Sequence, residues 1–522
     1  MQGTLISHGY LVDHNCTVMS LTSIEFVLGG DGEPYQCTLN QTDLKTNKNK
    51  FYIMQLLEYG VNEYVHFIRY GRIGEVGVIQ EKQFSGKDLA VKSFITQFKT
   101  KTGNDWKDRD QFVLKSGKYY LTNTDRVAAP ETAIVKNLPI PDSKLDTRVQ
   151  QLLRLFTDRE MLTQSLVSMD IDINKMPLGK IDHNQITLAK NTLLAIQKKL
   201  DDLKNADADD GGYADVADAA NGELKEIANE VLQQLSSQYY TYIPYPCRRG
   251  SKLPMIDTTT KVGQCLENLD DLENISINVE LTHPHLQESH ENIINPIDRV
   301  YNTIGTNIAP LDRNSERWSQ IAKYLEVTHT KTHHFKLKLH DIFEIERPDA
   351  RKRYRNSYRS LGNLELLIHG SRMCNWASIL KHGLLLDPSK LGVYITGKMF
   401  GNGIYFANSF SKSAQYCGLS GSKGLVCFTL AEVALGTQLQ KTDADYYLSK
   451  QSLAEKKCDS TWGKGQSTPE SMITVEDDLK IPNTPLTTLA KDSSSVLLYD
   501  EKIVYDQDQF DLRYLVIAEM SY

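Results

Sequence analysis

The pattern of apolar and polar positions changes period along the chain. From about Tyr35 the apolar residues gather into short β-rich runs, Phe51 to Leu57 and Tyr64 to Tyr70, followed by the glycine-punctuated stretch Gly71-Arg72-Ile73-Gly74-Glu75-Val76-Gly77. Runs of this kind bounded by turn residues predict a small antiparallel sheet. Val91, Phe94, Ile95 and Phe98 then share one helical face, which predicts a helix packed across that sheet. Residues 1–34 show no clear period and receive no fold. Beyond a proline-marked linker at 131–142, the spacing becomes helical. Ile186, Ala189, Leu193, Ile196 and Leu200 make one stripe and Leu224, Ile227, Val231 and Leu235 a second, predicting a bundle over 143–285. Thr157-Asp158-Arg159-Glu160 has the form of a capping box opened by Thr157. From 292 to 522 short strands dominate, with Phe335, Leu337 and Leu339 alternating and an apolar run at Leu364 to Ile368. The fold class is multidomain α+β: a small antiparallel sheet plus helix at 35–130, an all-α bundle, and a mixed strand-rich C-terminal domain.

Composition narrows the function classes. The chain has 522 residues, and 59 Lys+Arg against 66 Asp+Glu give 59 − 66 = −7, so it is not basic as a whole. Residues 35–126, however, hold 15 bases and 10 acids, or +5, which makes the sheet module the one candidate for a polyanion. Residues 201–226 hold nine acids and two bases and read as a solvated loop. No stretch approaches the roughly 18 apolar residues of a membrane helix, and the N-terminus lacks a secretory pattern, so a soluble intracellular protein with no membrane partner is expected. The eight cysteines form no CxxC pair and read as reduced thiols.

Two local signals are weak. His329, His333, His334 and His340 crowd together, but strand alternation scatters them and no acid or cysteine joins them at ligand spacing, so no metal is expected. Gly401-Asn402-Gly403 lacks the third glycine of a dinucleotide fingerprint. A third set is stronger as a group. His369-Gly370-Ser371-Arg372 follows a buried-looking strand, Gly403-Ile404-Tyr405-Phe406-Ala407 precedes Ser413 and Tyr416, and Tyr499-Asp500-Glu501-Lys502-Ile503 lies near the C-terminus.

Together these resemble the poly(ADP-ribose) polymerase family, whose triad is a His, a Tyr and a Glu on separate strands. Met176-Pro177-Leu178-Gly179-Lys180 and Ser237 to Pro244 resemble its helical regulatory domain. Tyr35 to Thr42, Tyr70-Gly71-Arg72 and Trp106 resemble the Trp-Gly-Arg domain of the DNA-dependent branch, nearest its second and third members.

The resemblance implies an ADP-ribosyltransferase domain that consumes NAD+ as substrate, with no metal. Glu501, His369 and Tyr405 are the implied catalytic residues. His369, Gly370, Ser371, Arg372, Tyr405, Ser413 and Tyr416 would bind NAD+, with Gly370 offering its backbone to the carboxamide because it lacks a Cβ. Met399, Lys412 and Tyr499 would hold the acceptor. Tyr70, Arg72 and Trp106 would bind DNA strand breaks bearing a 5′ phosphate, in the nucleus, with the protein itself and other proteins as acceptors. DNA binding would loosen a bundle that otherwise keeps NAD+ out. Glu501 favours polymer synthesis; a mono-ADP-ribosyltransferase and a non-catalytic DNA-end scaffold are the rivals. Tyr70 replaces the domain's Trp, Lys398 a donor-loop Tyr, Leu385 an adenosine-contacting Arg and Glu267 a bundle Asp.

Overall fold

The computed structural model of the protein describes residues 6–7, 10–20, 24–122, 141–168, 183–208, 214–247, 250–282, 294–330, 335–386, 399–418, 422, 424–475, 478–488 and 495–521. Its contacts gather into two compact units, residues 1–139 with 166–276 and residues 140–165 with 277–522.

In the first unit the alternating runs form antiparallel strands. Lys48–Gly60 lies between Gln36–Asp43 and Glu63–Arg72, with Val78–Phe84 at one edge and Tyr120–Thr122 at the other. Alternation sends Tyr52, Met54 and Leu56 to one face, where the helix Lys87–Thr102 buries Ala90, Phe94 and Phe98 against them. Leu57, Val65 and Phe67 belong to the opposite face, and it is covered by the segment that the sequence leaves unassigned. Tyr10, Val12, Cys16, Val18, Ile24 and Phe26 bury there, and Glu25–Phe26 pairs with Lys48–Gly60. These residues sit in two-residue strands, irregular backbone and one short 3-10 turn, so no helical or strand period announces them.

The bundle helices of this unit are His183–Ala208, Ala214–Tyr242 and Thr259–Thr282. The stripe from Ile186 to Leu200 is buried as its spacing predicts. The second stripe is displaced: Ile227 is 51% exposed, and Ala228, Leu232, Ser236 and Tyr239 point inward instead. The buried frame is lined partly by small and polar side chains, which hydropathy does not mark. Helix also occupies most of 201–226, predicted as a loop, because its alanines are strong helix formers among the acids; 209–213 lie outside the described residues.

The second unit begins with the helix Thr147–Phe156, whose Arg148 donates from Nε to Asp341 at 2.8 Å. Thr157 closes this helix by bonding the Leu153 carbonyl at 2.9 Å, and Asp158 rather than Thr157 caps the next helix, Arg159–Ser168, accepting from Glu160 N at 2.8 Å. Among the described residues, one sheet of this unit runs Met472–Thr474, Lys480–Pro482, Leu364–Ser371, Leu425–Ala434, Phe510–Ser521, Lys336–Glu346, Asn307–Pro310. A second holds Ile404–Phe406, Glu501–Val504, Ser460–Gly463 and Gln438–Lys441. A bridge between Ile368 and Ala407 joins the two sheets. The eight cysteines are free thiols, six of them buried. No helix among the described residues is long and apolar enough to cross a membrane.

Candidate active site

The His, Tyr and Glu expected from the sequence lie on strands of these two sheets. His369 is on Leu364–Ser371, Tyr405 on Ile404–Phe406 and Glu501 at the start of Glu501–Val504, which pairs antiparallel with the tyrosine strand. His369 Nδ1 donates to the Tyr405 carbonyl at 2.9 Å, so in the neutral ring Nε2 carries the lone pair. Tyr405 is fixed at its tip, donating to the Gly401 carbonyl at 2.8 Å and accepting from Phe400 N at 3.0 Å. Burial holds its phenol well above the ordinary range, so it remains neutral.

Ile368 exchanges backbone hydrogen bonds with Ala407 at 2.8 and 3.0 Å, so by alternation the N–H and C=O of Gly370 point off the same strand edge. The fold gives a second reason for the absence of a Cβ at Gly370. A Cβ there would lie 2.1 Å from the Ser413 carbonyl oxygen, so glycine is demanded by the helix Phe410–Ala414 packed on that side. Ser413 is 3% exposed and donates its hydroxyl to the Ile368 carbonyl at 3.3 Å, which leaves the oxygen's lone pairs to accept from an amide NH₂. Ser371 is held by Asn375 Nδ2 at 3.0 Å, and Arg372 caps the short turn Met373–Asn375. Tyr416, in contrast to Tyr405, is 55% exposed.

Glu501 is 6% exposed, and its buried Oε2 has no hydrogen-bond partner among the described residues. Oε1 pairs with Lys412 Nζ at 2.7 Å. Desolvation, the largest single effect, lowers the Lys412 pKa, but Glu501 and Tyr416 together, through charge and hydrogen bonding, outweigh it and hold the ammonium above its ordinary value. Lys412, expected at the acceptor position, is thus a direct partner of the Glu501 carboxylate. Met399 packs against the apolar cluster that includes Phe400 and Leu448, and Tyr499 is buried with its hydroxyl 2.7 Å from Thr330 Oγ1. Sequence reasoning missed Asp500, 1% exposed, which accepts from Gly465 N and Thr468 Oγ1 at 2.8 Å each and anchors the chain immediately before Glu501. Of the departures, Leu385 is 60% exposed, Glu267 lies on Thr259–Thr282, and Lys398 lies outside the described residues. His329 is bonded at both ring nitrogens, to Ser411 Oγ and the Phe335 carbonyl; His333 and His334 lie outside the described residues.

In the first unit the three expected DNA residues part company. Tyr70 stacks on Tyr52 at 5.4 Å, and Lys101 Nζ lies 4.6 Å over the Tyr52 ring. Desolvation, with Lys50 and Lys118 nearby, lowers the Lys101 pKa, so an anion here would relieve crowded positive charge. Trp106 is a core residue instead, 8% exposed, packed edge-on against Phe94 and Phe98 with Arg109 over its face. Arg72 turns to the bundle: it donates to the carbonyls of Cys247, Asn47 and Ser251 at 3.1, 3.0 and 2.9 Å. Alongside it, Thr42 N donates to Thr241 Oγ1, Leu44 N to Ser237 Oγ, and Asn49 Nδ2 to the Tyr245 carbonyl.

Comparison with known proteins matches residues 35–113 to the WGR domain, 143–301 to the poly(ADP-ribose) polymerase regulatory domain and 315–520 to the poly(ADP-ribose) polymerase catalytic domain. Poly [ADP-ribose] polymerase 2 of Homo sapiens is 32% identical over 525 residues, covering 98% of this chain and 83% of its own. The chain belongs to the poly(ADP-ribose) polymerase family. Within that family it is also 33% identical to poly [ADP-ribose] polymerase 2-A of Oryza sativa subsp. japonica, over 100% of this chain and 75% of that protein. Poly [ADP-ribose] polymerase of Sarcophaga peregrina is 35% identical over 94% of this chain, which spans 46% of that relative's length.

Proposed function

We propose that the protein is an NAD+-consuming ADP-ribosyltransferase that, when its WGR module engages a DNA break, builds poly(ADP-ribose) on itself and on other nuclear proteins. The observation that carries this reading is the buried Oε2 of Glu501, which has no hydrogen-bond partner among the described residues, in the same domain as the linked His369 and Tyr405. A buried carboxylate oxygen without a donor is costly, and a ribose hydroxyl would satisfy it. Cleaving nicotinamide from NAD+ releases a neutral pyridine, so the leaving group needs no proton. The barrier lies in positive charge growing on the ribose carbon, as in other glycosyl transfers. Glu501 would stabilise that charge, while Lys412 holds its other oxygen in place.

The ring would be received at the Gly370 edge, with Ser413 accepting from the carboxamide and Tyr405 and Tyr416 against its faces. His369, Ser371 and Arg372 would take the adenosine side. Met399, Lys412 and Tyr499 are assigned to the incoming acceptor, and Tyr70, with Lys50, Lys101 and Lys118, to the DNA end. Domain limits of 35–130, 143–285 and 292–522 belong to the same reading.

The test is incubation with labelled NAD+ and nicked, 5′-phosphorylated DNA, with products resolved by length. Long ladders on the wild type and their loss in Glu501→Gln support a polymerase. Single additions that persist at high NAD+ would make it a mono-transferase, and no labelling at all would leave a DNA-binding scaffold.

A further inference from the structure

The glutamate strand carries, one residue beyond Glu501, a lysine that the proposed chemistry does not use. Lys502 is 3% exposed and lies 3.7 Å from Oε1 of Glu365, which is itself 8% exposed. Lys502 Nζ also sits 3.8 Å over the Trp462 ring and donates to Gln438 Oε1 at 3.3 Å. Strand geometry explains why these groups meet. On Leu364–Ser371, side chains of alternate residues share a face, so Glu365, Leu367 and His369 stand in one row. On the second sheet Lys502 is paired with Phe406 on one side and Trp462 on the other, so these three share a face, and Phe406 meets His369 at 5.9 Å between ring centres. Glu365 and Lys502 therefore join the two sheets in the layer that also holds His369, directly behind the strand end that presents Glu501.

Burial dominates both groups: it pushes the Lys502 ammonium down and the Glu365 carboxyl up from their ordinary ranges. Asp500, Lys480 and Lys464 are the other charges that act on the pair. Two charges taken out of water at this depth are poor contributors to stability, and well-packed apolar side chains of similar volume commonly replace such pairs without loss of fold. The role this position offers them is geometric.

We propose that Glu365 and Lys502 are positioning residues: their buried ion pair fixes the separation of the histidine and glutamate strands and so sets where the Glu501 carboxylate stands relative to His369. The proposal rests on the transferase reading above. A displacement of about 1 Å in a catalytic group can lower a rate by about a hundredfold while ground-state binding is preserved. Loss of the pair is therefore expected in kcat, with KM for NAD+ little changed.

The experiment uses the full chain with nicked DNA and compares wild type, the apolar double variant Glu365→Leu/Lys502→Met, the charge-reversed double variant Glu365→Lys/Lys502→Glu, and Glu365→Gln. The expected result is cooperative melting of the apolar double variant near the wild-type temperature, a kcat at least tenfold lower and a KM within about twofold. Partial recovery of kcat by charge reversal would separate the pair's geometry from mere packing. Wild-type kcat in the folded apolar variant would overturn the proposal. Should that variant not melt cooperatively, Glu365→Gln decides, since it keeps the shape and removes the charge: undiminished kcat overturns the proposal, and a tenfold loss at constant KM supports it. An inactive wild type would instead overturn the transferase reading, and this proposal with it.

Discussion

At the scale of single residues, the strongest constraints come from atoms that have nowhere else to go. Gly370 is one: a Cβ 2.1 Å from a helix carbonyl must move the backbone. Gly370→Ala is expected to destabilise the protein by about 1–3 kcal/mol through overpacking and to cut NAD+ turnover more than tenfold. Melting and activity measured on one preparation check both. His66 is a second such position. It is fully buried under the sheet's helix, 3.0 Å from Ser93 Oγ and 5.5 Å from the Phe94 ring, and burial, with Lys82 adding, pushes its pKa down to about 4. The unfolded imidazole takes its proton near 6.5, so below that pH the unfolded state binds a proton that the folded state refuses. Stability is full above about 6.5 and falls as pH drops toward 4, by about 3 kcal/mol in total. His66→Phe should flatten this part of the pH–stability curve, and an unchanged slope in urea titrations at pH 7.5 and 5 would refute the assignment. His369, Tyr405 and Glu501 were legible because their neighbours in sequence form a pattern. The Glu365 and Lys502 pair was not, since nothing in either local run indicates that two distant charges are buried together.

At the scale of elements, legibility follows regularity. The helix across the sheet and the stripe from Ile186 to Leu200 repeat at helical spacing with large apolar residues, and both are buried as expected. Where the buried face uses Ala228 and Ser236, hydropathy points to the neighbouring frame instead. The N-terminal segment is the larger case, since it forms a layer of the sheet module without any period of its own. Phe26 is 2% exposed, lies edge-on to Tyr10 at 6.0 Å and pairs with Leu57 on the central strand. Phe26→Ala is accordingly expected to cost about 3–5 kcal/mol, as for a core aromatic, although the residue precedes the matched WGR region. Urea denaturation of the full chain followed by fluorescence measures it. A loss under 1 kcal/mol would mean that the segment merely rests on the sheet.

At the scale of the whole molecule, the proposed activation by DNA requires a route from the sheet module to the bundle. The sheet module and the helices 183–276 fall in one compact unit, and Arg72 lies at their seam, with carbonyls from both sides as its acceptors. Its guanidinium therefore cannot offer the same N–H groups to phosphate without releasing the bundle. If Arg72 serves the seam, Arg72→Ala should leave the Kd for a nicked duplex within about twofold and keep the slope of log K against log salt, while DNA-stimulated turnover falls at least tenfold. If it serves phosphate, the affinity and the salt slope should fall together, by about one contact. Leu193→Asp supplies the matching control. It places a charge at a fully buried bundle position, and a bundle that restrains the enzyme should then permit turnover without DNA. Loss of stimulation in Arg72→Ala that is restored by adding Leu193→Asp would place the arginine upstream of the bundle. Persistent inactivity in the double variant would mean that Arg72 acts on something other than the restraint.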